Sequence, residues 1–144
     1  MFKIDEDIPF INQPWGFERI FAENEHYVGK YTFIEAGHRM SRHYHQRKEK
    51  TIYVLSGSLH LEIGPDDESP EIVTLGMVEG ESYHVDPEIV HRLCAPDTND
   101  VEIIEVGTND PQDIVRLEDD YGRLPAGEAC PFYNILLKIL NKIH

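Results

Sequence analysis

Short strand-like runs, recurring about every ten residues and each closed by turn formers, constrain this chain more than any other feature. Tyr27 to Glu35 ends at Ala36-Gly37, Thr51 to Leu55 at Ser56-Gly57, and Ser58 to Ile63 at Gly64-Pro65-Asp66-Asp67. Glu71 to Leu75, Ser82 to Val85, His91 to Ala95 and Val101 to Val106 continue the series, the last stopped by Gly107. Helical periodicity between the runs is nearly absent. Without crossover helices a parallel sheet is excluded, and the pattern predicts an all-β sandwich or barrel. Only the end of the chain differs: after Pro131, Tyr133, Leu136, Leu137, Leu140 and Ile143 recur at helical spacing. This predicts a short C-terminal helix over 131–143 that caps the sandwich, with pairing of two copies as the sharper alternative.

A domain of 144 residues hides about 70% of its unfolded surface, so it needs no staple for stability. Acidic residues outnumber basic ones 27 to 13, for a net charge of −14, and such an excess repels nucleic-acid phosphates. Met1 to Phe10 carries Asp5, Glu6 and Asp7 without a basic leader or an apolar region, and the longest uncharged apolar run, Ile72 to Val78, is far too short to cross a bilayer. Cys94 and Cys130 lie far apart, which fits spectator thiols in a reducing compartment. The expectation is a cytoplasmic protein without nucleic-acid or membrane partners.

His43-Tyr44-His45 places two imidazoles two residues apart. In extended chain both side chains point to one face, which is metal-ligand geometry. His91 follows a turn at Pro87 and offers a third imidazole. The same histidines read more plainly as surface groups that merely hydrogen-bond. Around the pair, from His38 to Lys50, Arg39, Arg42, Arg47, Lys48 and Lys50 face Glu49 alone, a local charge of +4 in an acidic chain. Such a patch either draws a small anion to one mouth of the barrel or consists of loop charges paired with the acidic surface.

Gly37, His43, His45 and Gly57, followed by Gly80 and His91, resemble the two motifs of the cupin superfamily. More narrowly, Pro14-Trp15-Gly16, Tyr27-Val28-Gly29-Lys30, the segment from Ser41 to Gly57 and the tail from Asp113 to Arg123 resemble the cupin domain of type II mannose-6-phosphate isomerases and small stand-alone relatives. The resemblance implies one domain over 1–144, with a cupin-type jelly-roll barrel at 14–123. It also implies a divalent transition metal (Zn, Mn, Ni or Fe) on His43, His45 and His91. The sequence departs from the family at residue 50, where a glutamate ligand is expected and Lys50 stands. An ammonium has no lone pair to give and repels a divalent ion. At most a three-histidine site is expected, and a barrel that has lost its metal is the alternative. Asp86 and Glu88 stand where proline and glycine are usual.

As to activity, the resemblance implies a phosphorylated or nucleotide-linked sugar and an aldose–ketose isomerisation of the mannose-6-phosphate type. Lys50 would act as base or oxyanion partner, with His84 as a further pocket residue. Lys30 and Arg39 would hold phosphate. Arg116 and Arg123 would reach over the mouth, or else pair with Glu118, Asp119 and Asp120 to pin the tail. Two other classes stay open: a non-catalytic carbohydrate- or metabolite-binding cupin, and a three-histidine dioxygenase. The expected partners are a small anionic sugar, a second copy of the chain, and a separate nucleotidyltransferase.

Overall fold

The computed structural model describes residues 4–66 and 70–124. Within them the chain forms β1 (Phe10–Gln13), β2 (Gly16–Glu23), β3 (Tyr27–Ile34), β4 (Arg42–Tyr44), β5 (Lys50–Ser56), β6 (Leu59–Ile63), β7 (Val73–Met77), β8 (Ser82–Val85), β9 (His91–Cys94), β10 (Val101–Thr108) and β11 (Val115–Glu118). All pairings are antiparallel. One sheet has the order β1-β2-β3-β10-β5-β8, the other β11-β4-β9-β6-β7. This is the all-β architecture the turn spacing predicts, in the jelly-roll form the resemblance implies. The predicted C-terminal helix falls outside the described residues. No helix among the described residues is long and apolar enough to cross a membrane.

The strand runs of the middle of the chain fold within two residues of their predicted bounds. β1, β2, β4 and β11 carry no clear signal in the sequence. In β2 the large side chains Phe17 and Phe21 are on the outer face, stacked or packed beside Phe10, Phe33 and Tyr31, while Glu18 is buried. A register shift between Ile20 and Ala22 further breaks the alternation. Apolar-out and charged-in is the reverse of the usual pattern for a half-buried strand.

The interior is graded from apolar to charged. Ile34, Ile52, Val54, Leu59, Leu61, Leu93, Val101 and Ile103 are fully buried and, with Trp15, form the core. Inward positions on β3, β10 and β5 then run toward the other end: Ile34 to Lys30, Val101 to Glu105, Val54 to Lys50. Register sets Glu105 opposite Lys30 on one side and Ile52 on the other. Three charges thus converge at one end of the barrel. Gly107, opposite Lys50, makes this possible: a Cβ there would stand 2.5 Å from the Glu49 carbonyl oxygen and 2.8 Å from Lys50 Cβ.

The turn between β8 and β9 holds Glu88, which stands where the resemblance implies glycine, in a left-handed conformation. Glu88 adopts φ +70°, and its N–H donates to the His45 carbonyl at 2.6 Å. An L side chain in the left-handed region costs about 1–2 kcal/mol. Glycine escapes that cost but loses about 0.5–1 kcal/mol in unfolded-chain entropy. Glu88→Gly should therefore raise stability by about 0.5–1 kcal/mol in urea denaturation. A decrease would show that the Glu88 side chain contributes more than its backbone strain removes.

Candidate metal centre

Two short pairings bring three distant histidines together. His43 on β4 lies directly opposite His91, the first residue of β9, and His45 follows β4 on the same side. Their ring centroids are 4.5 Å (His43–His91), 5.1 Å (His43–His45) and 5.8 Å (His45–His91) apart. All three are buried, and one nitrogen from each lies within 4.8 Å of the others.

Backbone carbonyls fix which nitrogen faces the centre. His43 Nδ1 donates to the Ser41 carbonyl at 3.0 Å, His91 Nδ1 to that of Ile89 at 2.8 Å, and His45 Nδ1 to that of Asp113. A carbonyl only accepts, so each Nδ1 carries the proton and each Nε2 keeps its lone pair. Nε2 of His45 and of His91 is buried without a hydrogen-bond partner among the described residues. Orphaned buried acceptors are rare and call for an explanation, and a metal ion answers for these two. Burial pushes the imidazoles toward the neutral form, with the nearby Lys50 adding to it: His45 falls to about 4, and His43 and His91 lie well below the usual range. His91 also acts on His43. Neutral imidazoles at fixed tautomer fit a divalent transition ion, and the residues that would hold one are His43, His45 and His91.

His43 and His45, with His91 packed against His43, stand at one side of a cavity of about 320 Å³ that Trp15, Glu18, Lys30, Lys48, Lys50, Glu105, Asp113, Arg116 and Arg123 also line. Lys50 is 5% exposed, and Glu105 Oε2 is 3.8 Å from its Nζ. Burial lowers the Lys50 ammonium, Glu105 opposes this, Lys30 and Lys48 add to it, and the outcome is about 8. Glu105 is pushed up by burial but held at about 2 by Lys50, Lys30 and Lys48 together. Lys30 moves the other way from Lys50: burial lowers it, but Glu105 and Glu18 outweigh burial and raise it. The difference lies in contact, since Lys30 donates to Glu18 at 2.9 Å and meets Glu105 at 3.5 Å. Lys50 forms no such hydrogen bond among the described residues.

Several site residues read from sequence take other places. His84 is not in the cavity: β8 pairs with β5 so that His84 is opposite Thr51 and Val85 opposite Lys50. Strand alternation therefore turns His84 outward, where its Nε2 meets Glu49 at 3.1 Å and Asp86 at 3.3 Å. Arg39 does not line the cavity either, because its guanidinium binds Asp120 at 2.7 Å on the surface. The +4 patch divides in the same manner. Arg42 is buried against Glu62 and Glu118, and Arg47 pairs with Asp110, so of the five cations only Lys48 and Lys50 reach the cavity. Lys30 lines the cavity with its charge matched by Glu18 and Glu105, and Arg123 lines it with its guanidinium on Asp119 at 2.9 Å. Arg116 is the exception. No ion pair is formed by it among the described residues, and its Nε is buried without a partner. Burial and Arg123 lower it.

Three residues escaped the sequence reading. Glu105 and Glu18 supply the interior anions; in the run Val101, Ile103, Glu105, a carboxylate on the apolar phase was the available signal. Asp113 is the third. Its carboxylate accepts the N–H groups of Gln46, Arg47 and Lys48 at 2.8, 2.7 and 2.9 Å while its carbonyl holds His45. Nothing in the sequence marks that double role.

Residues 30–107 match the family described as the cupin domain. The alginate biosynthesis protein AlgA of Pseudomonas aeruginosa is 30% identical over 116 residues, which is 78% of this chain and 23% of AlgA. The chain thus spans about a quarter of that relative's length. Solved structures with the same fold include the capsular polysaccharide assembling protein CapF from Staphylococcus aureus (TM-score 0.70, 16% identity, 79% of this chain and 32% of CapF). KdgF from Halomonas sp. is another (TM-score 0.62, 17% identity, 76% of this chain and 94% of KdgF).

Asp113→Asn tests the support of His45. The Asp113 carboxyl is held at about 2 against its ordinary 3.8, burial being outweighed by the three N–H donors. Its contribution is therefore present above pH 3.8 and lost as pH falls through about 2. At neutral pH the substitution should destabilise by about 1–3 kcal/mol and weaken transition-metal affinity in chelator competition. Its acid-unfolding limb between those two values should also be shallower. Wild-type metal affinity in the variant would show that His45 is held without Asp113.

Proposed function

The chain belongs to the cupin domain family, and on that premise we propose that it is a metal-dependent enzyme acting on a small anionic sugar, an aldose–ketose isomerase of the mannose-6-phosphate type. The observation that carries this reading is a buried group of three imidazoles, one nitrogen of each within 4.8 Å of the others, of which His43 and His45 line the same cavity as the Lys50 amine. AlgA by its name serves alginate biosynthesis and CapF capsular polysaccharide assembly, and both relations support a sugar ligand. A cavity of about 320 Å³ is at the small end of ligand sites, about 300–1,000 Å³. It suits a monosaccharide phosphate better than a nucleotide-linked sugar.

His43, His45 and His91 would hold a divalent ion, which when bound would supply Lewis-acid polarisation of the sugar oxygens. The chain's own residues divide the remaining work. Arg116, which forms no ion pair among the described residues, and Lys48 bind the anionic group and orient the sugar. Lys50 takes the proton from the hydroxyl-bearing carbon and returns it to its neighbour. Glu105 stays ionised, keeps the returning proton on Lys50 Nζ, and is itself held by Lys30. Trp15 closes one side of the cavity with an apolar surface.

Turnover of mannose 6-phosphate should require added Mn, Zn, Ni or Fe and cease with chelator. Because Lys50 acts as a base, the rate should rise with pH through about 8 and level above it. Lys50→Met should cost about 10²–10⁴-fold in kcat and abolish that limb. Arg116→Met should raise KM with a smaller effect on kcat. Tight binding of the sugar phosphate with no turnover under any of these metals would contradict the isomerase reading and make the chain a binding module.

A further inference from the structure

We propose that Lys50 is also a covalent capture site, whose amine forms a reversible imine with a small anionic aldehyde or ketone in the cavity. The inference goes beyond the isomerase reading and does not rest on it, since capture needs only the amine, a proton carrier and a place for the anion.

Three features of the wall select Lys50. Its side chain is 6% exposed and opens on the cavity, with Glu105 at 3.8 Å as its ion-pair partner. Lys30, by contrast, is committed to Glu18 by a 2.9 Å hydrogen bond that holds its nitrogen as an ammonium. Second, Lys30 Nζ and Lys50 Nζ share Glu105 Oε2, at 3.5 and 3.8 Å, so Lys50 is buried beside a second cation. A lysine desolvated beside another cation is the arrangement that makes an amine nucleophilic. Third, Glu105 Oε1 is buried without a hydrogen-bond partner among the described residues. It belongs to the carboxylate whose Oε2 lies 3.8 Å from the reacting nitrogen.

The chemistry balances without oxidant or reductant. The Lys50 lone pair adds to the carbonyl carbon, forming the C–N bond as the C=O π pair moves onto oxygen. One nitrogen proton passes by way of Glu105 to that oxygen, giving a carbinolamine. The hydroxyl then leaves with a second proton as water, and the C=N bond forms. Overall, amine and carbonyl give imine and water. Arg116 and Lys48 would face the anionic group, which restricts capture to carbonyl compounds that carry one.

The test is reductive trapping of the full chain with dihydroxyacetone phosphate and cyanoborohydride, read by intact mass and peptide mapping. We expect one adduct, at Lys50, exceeding that at Lys3, Lys30, Lys48, Lys138 and Lys142 by about tenfold or more. Neutral dihydroxyacetone should trap more weakly, and inorganic phosphate should compete. Lys50→Arg, which keeps the cation, should remove the adduct. Because that variant could misfold, phosphate competition on the wild-type chain gives an independent readout. Labelling spread evenly over the lysines, or centred on Lys48, would overturn the proposal. The assay reads mass and not turnover, so an inactive isomerase with a trapped Lys50 separates failure of the enzyme reading from failure of this one.

Discussion

Three carbonyl groups, those of Ser41, Ile89 and Asp113, decide what this cavity is. By accepting the Nδ1 protons of His43, His91 and His45 they leave three imidazole lone pairs aimed at one point. Imidazoles without such partners choose their tautomer freely, and at least one N–H would then face its neighbours. The carbonyls come from three separate stretches of chain, so the site is a property of the closed barrel. The turn at Glu88 enters here as well. It donates to the His45 carbonyl and directly precedes Ile89, which ties two of the three histidines to one loop.

Charge at the site is a local balance that the net −14 hides. Glu105 stays ionised in spite of its burial because Lys50, Lys30 and Lys48 act on it, while burial lowers Lys50, which meets Glu105 only at 3.8 Å, to about 8. Lysine at a position where the resemblance implies a glutamate ligand therefore does more than remove one metal bond. It moves an amine of unusual basicity against the place where a metal and a substrate would meet. Acidic residues elsewhere bind Arg39 and Arg47 on the exterior and the buried Arg42.

Strand positions were legible in the sequence wherever apolar alternation faced the core, as in Val101 to Val106 or Ser58 to Ile63. β2 was not, because its aromatic residues lie on the outer face and its buried Glu18 reads as a solvent position. The histidine trio was legible through the H-x-H spacing and the resemblance that aligned His91 with it. His84 and Arg39 illustrate the limit. Both lie near the site in sequence pattern, yet strand pairing turns one outward and a surface carboxylate takes the other. A count of charges between residues 38 and 50 could not show that most of them already had partners. Asp113 was invisible for a deeper reason: its role depends on main-chain groups of residues 46–48, brought to it only by the fold.

The histidine tautomers can be read directly. Long-range proton–nitrogen correlation spectra of the metal-free protein at neutral pH report, for each ring, which nitrogen carries hydrogen. We predict neutral rings protonated at Nδ1 for His43, His45 and His91, and loss of the free Nε2 signature in all three when one equivalent of zinc is added. Nε2-protonated or doubly protonated rings, or zinc that leaves these signals unchanged, would contradict a metal centre built on these residues.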